Sequence, residues 1–368
     1  MTQQRGMFSL ADLVDPEKAW QRTQHGIFMP PAGLGLPSPL AAQGIIASAM
    51  APAQYGLGGV SASPALQGNP PWMFVIRRFE FFLSNLNITD NQRADAMTKY
   101  KGLVATLNNA YYGHKSESFN AFLIGSWGKD THIRPPRDVD MYFILPAEVY
   151  YRLEGYAAGS NKQSALLQEV KAKLLPSYPN SIIRGDGPVV SADFHGWAVE
   201  IVPVFLWSQD EQSYYVCDTT NGGRYIKTMP LREIVAINAA ERQTNNNVRP
   251  LIRMLKCWQS NCNVRIKSFH LELMAIEFLQ GWQYRDQGLY YYDWLCRDFF
   301  KWMIDKANGF LFAPGTMDFI YLDDAWKTLA ESAYIRAAKA AELEKENKMV
   351  EAGEEWQKIF GSDIYRWV

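Results

Sequence analysis

Gly125-Ser126-Trp127-Gly128-Lys129-Asp130-Thr131-His132-Ile133-Arg134-Pro135-Pro136-Arg137-Asp138-Val139-Asp140-Met141-Tyr142-Phe143 is the stretch that decides the fold. A short apolar run, Ala121–Ile124, leads into it and ends on the Gly-Ser pair. Glycine lets the backbone come close to a ligand, and exposed amides in such a turn bind anionic oxygens beside the serine hydroxyl. After eleven intervening residues, Asp138-x-Asp140 opens a second apolar run, Val139–Leu145. Side chains alternate along a strand, so Asp138 and Asp140 share a face. Two carboxylates on one partly buried face repel each other unless cations sit between them, and Mg²⁺ takes such hard oxygen ligands. A lone Gly-Ser is usually a plain turn, and a lone Asp-x-Asp is usually an exposed edge. Strand, turn and acidic pair in this order are far more specific.

Upstream, Trp72–Leu86 predicts a short helix. Thr89-Asp90-Asn91-Gln92 fits a capping box. Met97, Tyr100, Val104, Leu107 and Tyr111 then recur at steps of three and four, predicting a long helix to about Tyr112 that Gly113 closes. Downstream, a helix is predicted at Ser164–Leu175, and a hairpin-like stretch at Pro188–Asp193, His195-Gly196 and Ala198–Phe205. From Pro230 the pattern is helical: Leu231–Arg242, Pro250–Gln259, Ser268–Gln280, Tyr292–Asn308 and Asp323–Phe360. Arg249, Arg253 and Lys256 are spaced four then three, so they share one helical face. Before Trp72 the chain differs. A short helix fits Leu10–Gln21, and the Gly/Pro/Ala/Ser-rich segment Met29–Trp72 reads as a flexible arm or as an extended strap.

The chain of 368 residues is long enough for two lobes around a cleft. Its net charge of −1 argues against a protein built to hold long nucleic acid, so a nucleotide site must be a local basic pocket. The four cysteines, Cys217, Cys257, Cys262 and Cys296, form no C-x-x-C pair and no zinc pattern. They read as free thiols of a reducing compartment. The N-terminus lacks a signal pattern and no apolar run reaches membrane-spanning length, which predicts a soluble, cytoplasmic protein with no membrane partner.

Strand, Gly-Ser turn and Asp-x-Asp on a second strand together resemble the polymerase-β-like nucleotidyltransferases. The stretch GSWGKDTHIRPPRDVDMYFIL is similar to the bacterial cyclic-oligonucleotide synthases, relatives of cyclic GMP-AMP synthase and oligoadenylate synthase. The resemblance covers about residues 73–362, with Trp356–Gly361 similar to the family's C-terminal stretch. It implies an α+β fold: a nucleotidyltransferase palm with a small mixed sheet, a helical C-terminal lobe, and the active site in the cleft between. The expected partition is an N-terminal extension at 1–72, the palm with its long spine helix at 73–228, and the helical lobe at 229–368.

The resemblance also implies a third carboxylate before a Val-Pro step. Val199-Glu200-Ile201-Val202-Pro203 supplies Glu200 where relatives usually carry Asp, and Asp193 on the preceding strand stands as the alternative. The implied catalytic and metal set is therefore Asp138, Asp140 and Glu200, holding two Mg²⁺ ions, with Mn²⁺ as an alternative. Asn246–Trp258 resembles the family's basic helix, and Ser268-Phe269 its Ser-aromatic step. Lys256 and Ser268 are then expected to hold triphosphate with Gly125, Ser126 and Arg253, and Phe269 to stack on a base. The implied activity is synthesis of a cyclic di- or trinucleotide from nucleoside triphosphates in bacterial anti-phage signalling. The product would act on a downstream effector, and the enzyme is expected to be a monomer. Linear oligonucleotide synthesis, nucleotidylation of RNA or protein, and a catalytically inactive nucleotide-binding relative are the alternatives.

Overall fold

Thr89 caps the helix on which the sheet is laid. Its hydroxyl accepts from the Gln92 amide, and the Gln92 side chain accepts from the Thr89 amide in return. The computed structural model describes residues 71–194 and 196–368. The helix expected near Leu10–Gln21 and the arm or strap that follows lie outside the described residues.

Helix α1 (Pro71–Leu86) precedes the capped helix α2 (Asp90–Tyr112), which Gly113 ends in the left-handed region at φ 73. Ala96, Tyr100, Leu103, Val104 and Leu107 of α2 are buried against the sheet. Then follow β1 (Ala121–Leu123), the one-turn helix α3 (Gly125–Gly128), β2 (Val139–Ile144), α4 (Ala147–Glu154) and α5 (Lys162–Leu174). Strands β3 (Ile182–Asp186), β4 (Val189–Phe194), β5 (Trp197–Ser208), β6 (Ser213–Asp218) and β7 (Arg224–Thr228) complete the sheet.

Among the described residues the sheet has seven strands, in the order β1-β2-β5-β4-β3, with β6 pairing β5 and β7 pairing β6. It is mixed: β2 and β5 run parallel, and their neighbours are antiparallel. The long β5 serves two partners. Its first half lies between β2 and β4, and its second half pairs with β6. Alternation sorts β2 into two faces. Val139, Met141 and Phe143 join the core under α2 and α5, while Tyr142 joins a smaller cluster with Val202, Val204, Tyr214 and Val216. Asp140 and Glu200 open that second face.

The helical part comprises α6 (Pro230–Gln243), α7 (Val248–Asn261), α8 (Ser268–Gly281), α9 (Tyr292–Ile304), a hairpin of β8 (Phe310–Phe312) and β9 (Phe319–Tyr321), then α10 (Lys327–Lys345) and α11 (Met349–Phe360). It has its own core, built around Trp258, Phe299, Phe300, Trp326 and Trp356.

The structure departs from the expected partition in one element. Helix α1 was expected in the palm, yet Val75, Phe79, Phe82, Leu83 and Leu86 pack into the helical core. Its apolar face has no sheet to cover, because α2 already covers it. A second difference is the last helix, expected to run from Asp323 to Phe360. It is two helices, broken where Asn347 takes φ 64 and its amide and that of Lys348 bond back to Glu344 and Leu343. Strands β3, β6 and β7, helix α4 and the β8–β9 hairpin were not foreseen.

Candidate active site

The two early devices meet in space. Gly125 has φ +55, and a Cβ built there would overlap Oδ2 and Cγ of Asp140. The Ile124 amide donates to the Asp140 carbonyl at 3.0 Å, which seats the turn beside the acidic strand. Only glycine permits so close an approach in this conformation.

The parallel register of β2 and β5 pairs Asp140 with Glu200. Register partners on neighbouring strands project from the same face, so the carboxylates stand side by side. Burial pushes the Asp140 carboxyl up to about 7, with Glu200 and Asp138 adding to the rise and Lys129 opposing it. Burial also raises Glu200, with Asp138 next. Asp138 lies one step before β2 and is exposed. Asp193 is on the same face as Glu200 but one pair farther along. It sits opposite Ala198, while Ser191 sits opposite Glu200, and it pairs with exposed Arg184 at 3.7 Å. The register therefore favours Glu200 as the neighbour of Asp140.

The three carboxylates do not form a closed cage. Among the described residues, no three His, Cys, Asp or Glu side chains converge enough to clasp a metal by themselves. Their chemistry nevertheless fits Mg²⁺. The donors are hard oxygens, mutually repelling and partly desolvated, and Mg²⁺ commonly takes one or two carboxylates and completes its shell with water and phosphate.

Three of the residues expected to hold triphosphate, Lys256, Arg253 and Ser268, make hydrogen bonds within the protein. Lys256 donates to the Thr131 carbonyl at 3.0 Å, the Thr131 hydroxyl at 2.8 Å and Glu272 Oε1 at 2.7 Å. Those acceptors match the three protons of an ammonium. The Arg253 guanidinium donates to the Asp130 carbonyl at 2.8 Å and pairs with its carboxylate at 3.1 Å. The Ser268 hydroxyl donates to Gln259 Oε1 at 2.9 Å. Phe269 is half-buried, and the Lys129 ammonium lies 5.1 Å from its ring centroid.

Lys129, Glu233, Glu272 and Thr131 belong to this centre, although sequence reasoning did not single them out. Lys129 pairs with Glu233 at 2.8 Å and Glu272 at 2.6 Å. Burial works against the Lys129 charge, yet Glu272 and Glu233 outweigh it and hold the ammonium above the usual lysine range. Lys256, with one carboxylate and two cationic neighbours, is held below its usual value, first by burial. The available signal was position: Lys129 lies inside the Gly125–Asp140 stretch, and Glu272 lies one helical turn beyond Ser268.

A sheet bearing two registered carboxylates, with a glycine turn pressed against one of them, defines a nucleotidyltransferase of the polymerase-β-like kind. Residues 73–241 match the Second Messenger Oligonucleotide or Dinucleotide Synthetase domain, and the chain is similar to bacterial cyclic-oligonucleotide synthases. It is 23% identical over 274 residues to a probable cyclic nucleotide synthase of Bacillus cereus (strain VD146), covering 65% of this chain and 80% of the relative. It is 25% identical over 162 residues to the CBASS oligonucleotide cyclase CdnC of Escherichia coli (strain KTE188), covering 42% of this chain and 49% of that relative. It therefore spans about half the length of CdnC in that match. The structure of E. coli MS115-1 CdnC with ATP superposes with a TM-score of 0.56 at 18% identity, covering 79% of this chain and 98% of that one. This likeness establishes the shared fold. Among the described residues, no helix is long and apolar enough to cross a membrane.

Proposed function

We propose that the protein joins nucleoside triphosphates into a cyclic di- or trinucleotide second messenger, in a Mg²⁺-dependent reaction that serves bacterial anti-phage signalling. The observation that carries this reading is the Asp140–Glu200 register beside the Gly125–Ser126 turn. The name of CdnC as a CBASS cyclase supports the defence role. The neutral net charge agrees with small substrates rather than a long template.

Asp138, Asp140 and Glu200 hold the metal, two ions in the full site, with Mn²⁺ as a substitute. When bound, the metal lowers the pKa of the attacking ribose hydroxyl and neutralises charge on the departing pyrophosphate. The Gly125–Ser126 turn offers amide and hydroxyl donors to the triphosphate, and its backing by Asp140 keeps the phosphate near the carboxylates. Phe269 receives a base on its ring. The cyclic product leaves to act on a downstream effector.

The test is product analysis. Purified protein is incubated with the four ribonucleotides and Mg²⁺, treated with phosphatase, and examined by mass spectrometry. A phosphatase-resistant cyclic product that Asp140→Asn abolishes supports the proposal. A linear product, labelled RNA or labelled protein refutes the cyclase assignment. Tight nucleotide binding with no pyrophosphate release refutes the enzymatic one.

A further inference from the structure

The β8–β9 hairpin turns one face inward and the other out. Leu311 is buried in the helical core, and Ile320 packs against that core. Alternation puts Phe310, Phe312, Phe319 and Tyr321 together on the opposite face. The register sets Phe310 across from Tyr321 and Phe312 across from Phe319. The centroid of the Phe319 ring lies 5.1 Å from that of Phe310 and 5.0 Å from that of Phe312. Beyond one another these rings meet solvent: Phe310 is 54% exposed, Phe312 45%, Phe319 72% and Tyr321 64%.

The hairpin is anchored at its base, its tip and its back. At the base the Leu322 amide donates to the Gly309 carbonyl at 2.9 Å, and at the tip the Ala313 amide donates to the Asp318 carbonyl at 2.9 Å. The tip leans on α6, where a Cβ built on Gly315 would lie 2.7 Å from Cγ of Arg232 and 3.1 Å from Sδ of Met229. Apolar residues exposed singly need no explanation, but four adjoining rings on one sheet face do.

Charge and area together say what covers this face. The two strands, Phe-Leu-Phe and Phe-Ile-Tyr, carry no charged residue, and the Tyr321 hydroxyl already donates to Asn308 Oδ1 at 3.0 Å. Such a face does not repel its own image, and it offers nothing to select an acidic or a basic partner. An aromatic side chain carries about 150–250 Å², so these exposures leave about 350–600 Å² of ring surface open. That is as much apolar surface as a single chain ordinarily leaves bare. Two such faces laid together would bury about 700–1,200 Å², the size of a weak, reversible association. A two-fold pair removes both patches from water at once.

We propose that the aromatic face of β8–β9 is a self-association surface, on which two copies of this chain pair about a two-fold axis. The inference stands apart from the nucleotidyltransferase reading, and it differs from the monomer that the resemblance implies.

Analytical ultracentrifugation of the full chain tests it, over a concentration range of about 1 to 200 µM. Phe319→Lys and Phe310→Lys each put a charge on the face at a residue that is more exposed than buried. Ile335→Lys, at an exposed apolar residue of α10, is the control. Thermal denaturation checks that every variant folds. Wild type should pass from the mass of one chain to that of two with a midpoint of about 10–100 µM. Each face variant should weaken the pair at least about tenfold, and Ile335→Lys should pair as wild type does. Wild type that keeps the mass of one chain at every concentration overturns the proposal, and gives the face to another segment of the same chain or to a different protein. A pair that neither face variant weakens, or that Ile335→Lys weakens equally, places the interface elsewhere and overturns it too.

Discussion

Gly125 and Asp140 touch: the backbone of one leaves no room for a methyl group beside the carboxylate of the other. Gly125→Ala therefore must displace the carboxylate and also strain a backbone at φ +55. The expected result is a fall of about a hundredfold or more in pyrophosphate release, for a stability loss of only about 1–2 kcal/mol. Gly113 is the control. It has φ +73 but no atom within 4 Å of a built Cβ. Gly113→Ala should show the strain in its melting temperature and keep its activity. Equal activity in both variants would remove the contact from the catalytic account.

Above about pH 7, where the raised Asp140 carboxyl ionises, Asp140 and Glu200 are like charges at one register position, an arrangement that destabilises a strand pair by a few tenths of a kcal/mol to about 1 kcal/mol. Glu200→Gln should raise the melting temperature of the metal-free protein while abolishing product formation. Mg²⁺ at about a hundred times its dissociation constant should stabilise wild type by about 2.7 kcal/mol, and chelation should reverse the shift. In Glu200→Gln the Mg²⁺-induced shift should shrink. Identical shifts, read by thermal denaturation with and without Mg²⁺, would take Glu200 out of the metal site and return Asp193 to consideration.

How much of this could be seen in the sequence depended on whether the relevant partners were local. The Gly125–Ser126 turn and Asp138-x-Asp140 lie on one short segment, and their alternation places them without knowledge of the rest. The choice of Glu200 over Asp193 needed strand register, set by pairing between segments some sixty residues apart, and both residues satisfy the alternation. The face shared by Arg249, Arg253 and Lys256 was visible from spacing. Its acceptors were not, because backbone carbonyls leave no mark in a sequence. Lys129 and Glu272 look like ordinary charges until the packing of α8 beside the 129–131 loop makes them partners. Strands β6 and β7 are a different case. Ser213–Asp218 and Arg224–Thr228 carry β-branched and aromatic residues that could have been read as strands. The break at Asn347 was likewise hidden inside a charged run with good helix propensity, where a single left-handed residue decides the outcome.

Glu272 lies between Lys129 and Lys256, and it predicts an acid-dependent stability difference. Burial alone would raise its pKa, but the two ammonium groups hold it down to about 2, against an ordinary 4.5. A depressed carboxyl contributes stability above its unfolded value, and that contribution is lost as pH falls through the folded one. Glu272→Gln leaves two buried lysines short of a counter-charge and should cost about 3–5 kcal/mol near neutral pH. The gap between wild type and variant should then narrow as pH falls from about 4.5 towards 2. Urea midpoints at about pH 7, 4 and 3 measure it. A gap independent of pH would show that Glu272 acts through packing rather than charge.

Arg78 ties the first helix to the end of the chain. The side chain is fully buried; Nε donates to Glu344 at 3.1 Å, Nη1 to the carbonyls of Tyr365 at 2.6 Å and Arg366 at 3.1 Å, and Nη2 to that of Met349 at 2.7 Å. The Trp356 indole shares Glu344 at 3.1 Å. Nearby Asp293 is pushed up to about 8, first by burial and then by Glu344. Arg78→Leu strips the partner from a buried Glu344 and should cost about 3–5 kcal/mol. Arg78→Lys keeps the charge but cannot span carbonyls on both sides of the guanidinium, so its loss should be intermediate. Arg78 belongs to the helical core and not to the carboxylate site. Turnover per folded molecule should therefore match wild type in Arg78→Lys, with only the urea midpoint reduced. A drop in kcat at unchanged midpoint would place this clamp in the catalytic machinery instead of in the scaffold.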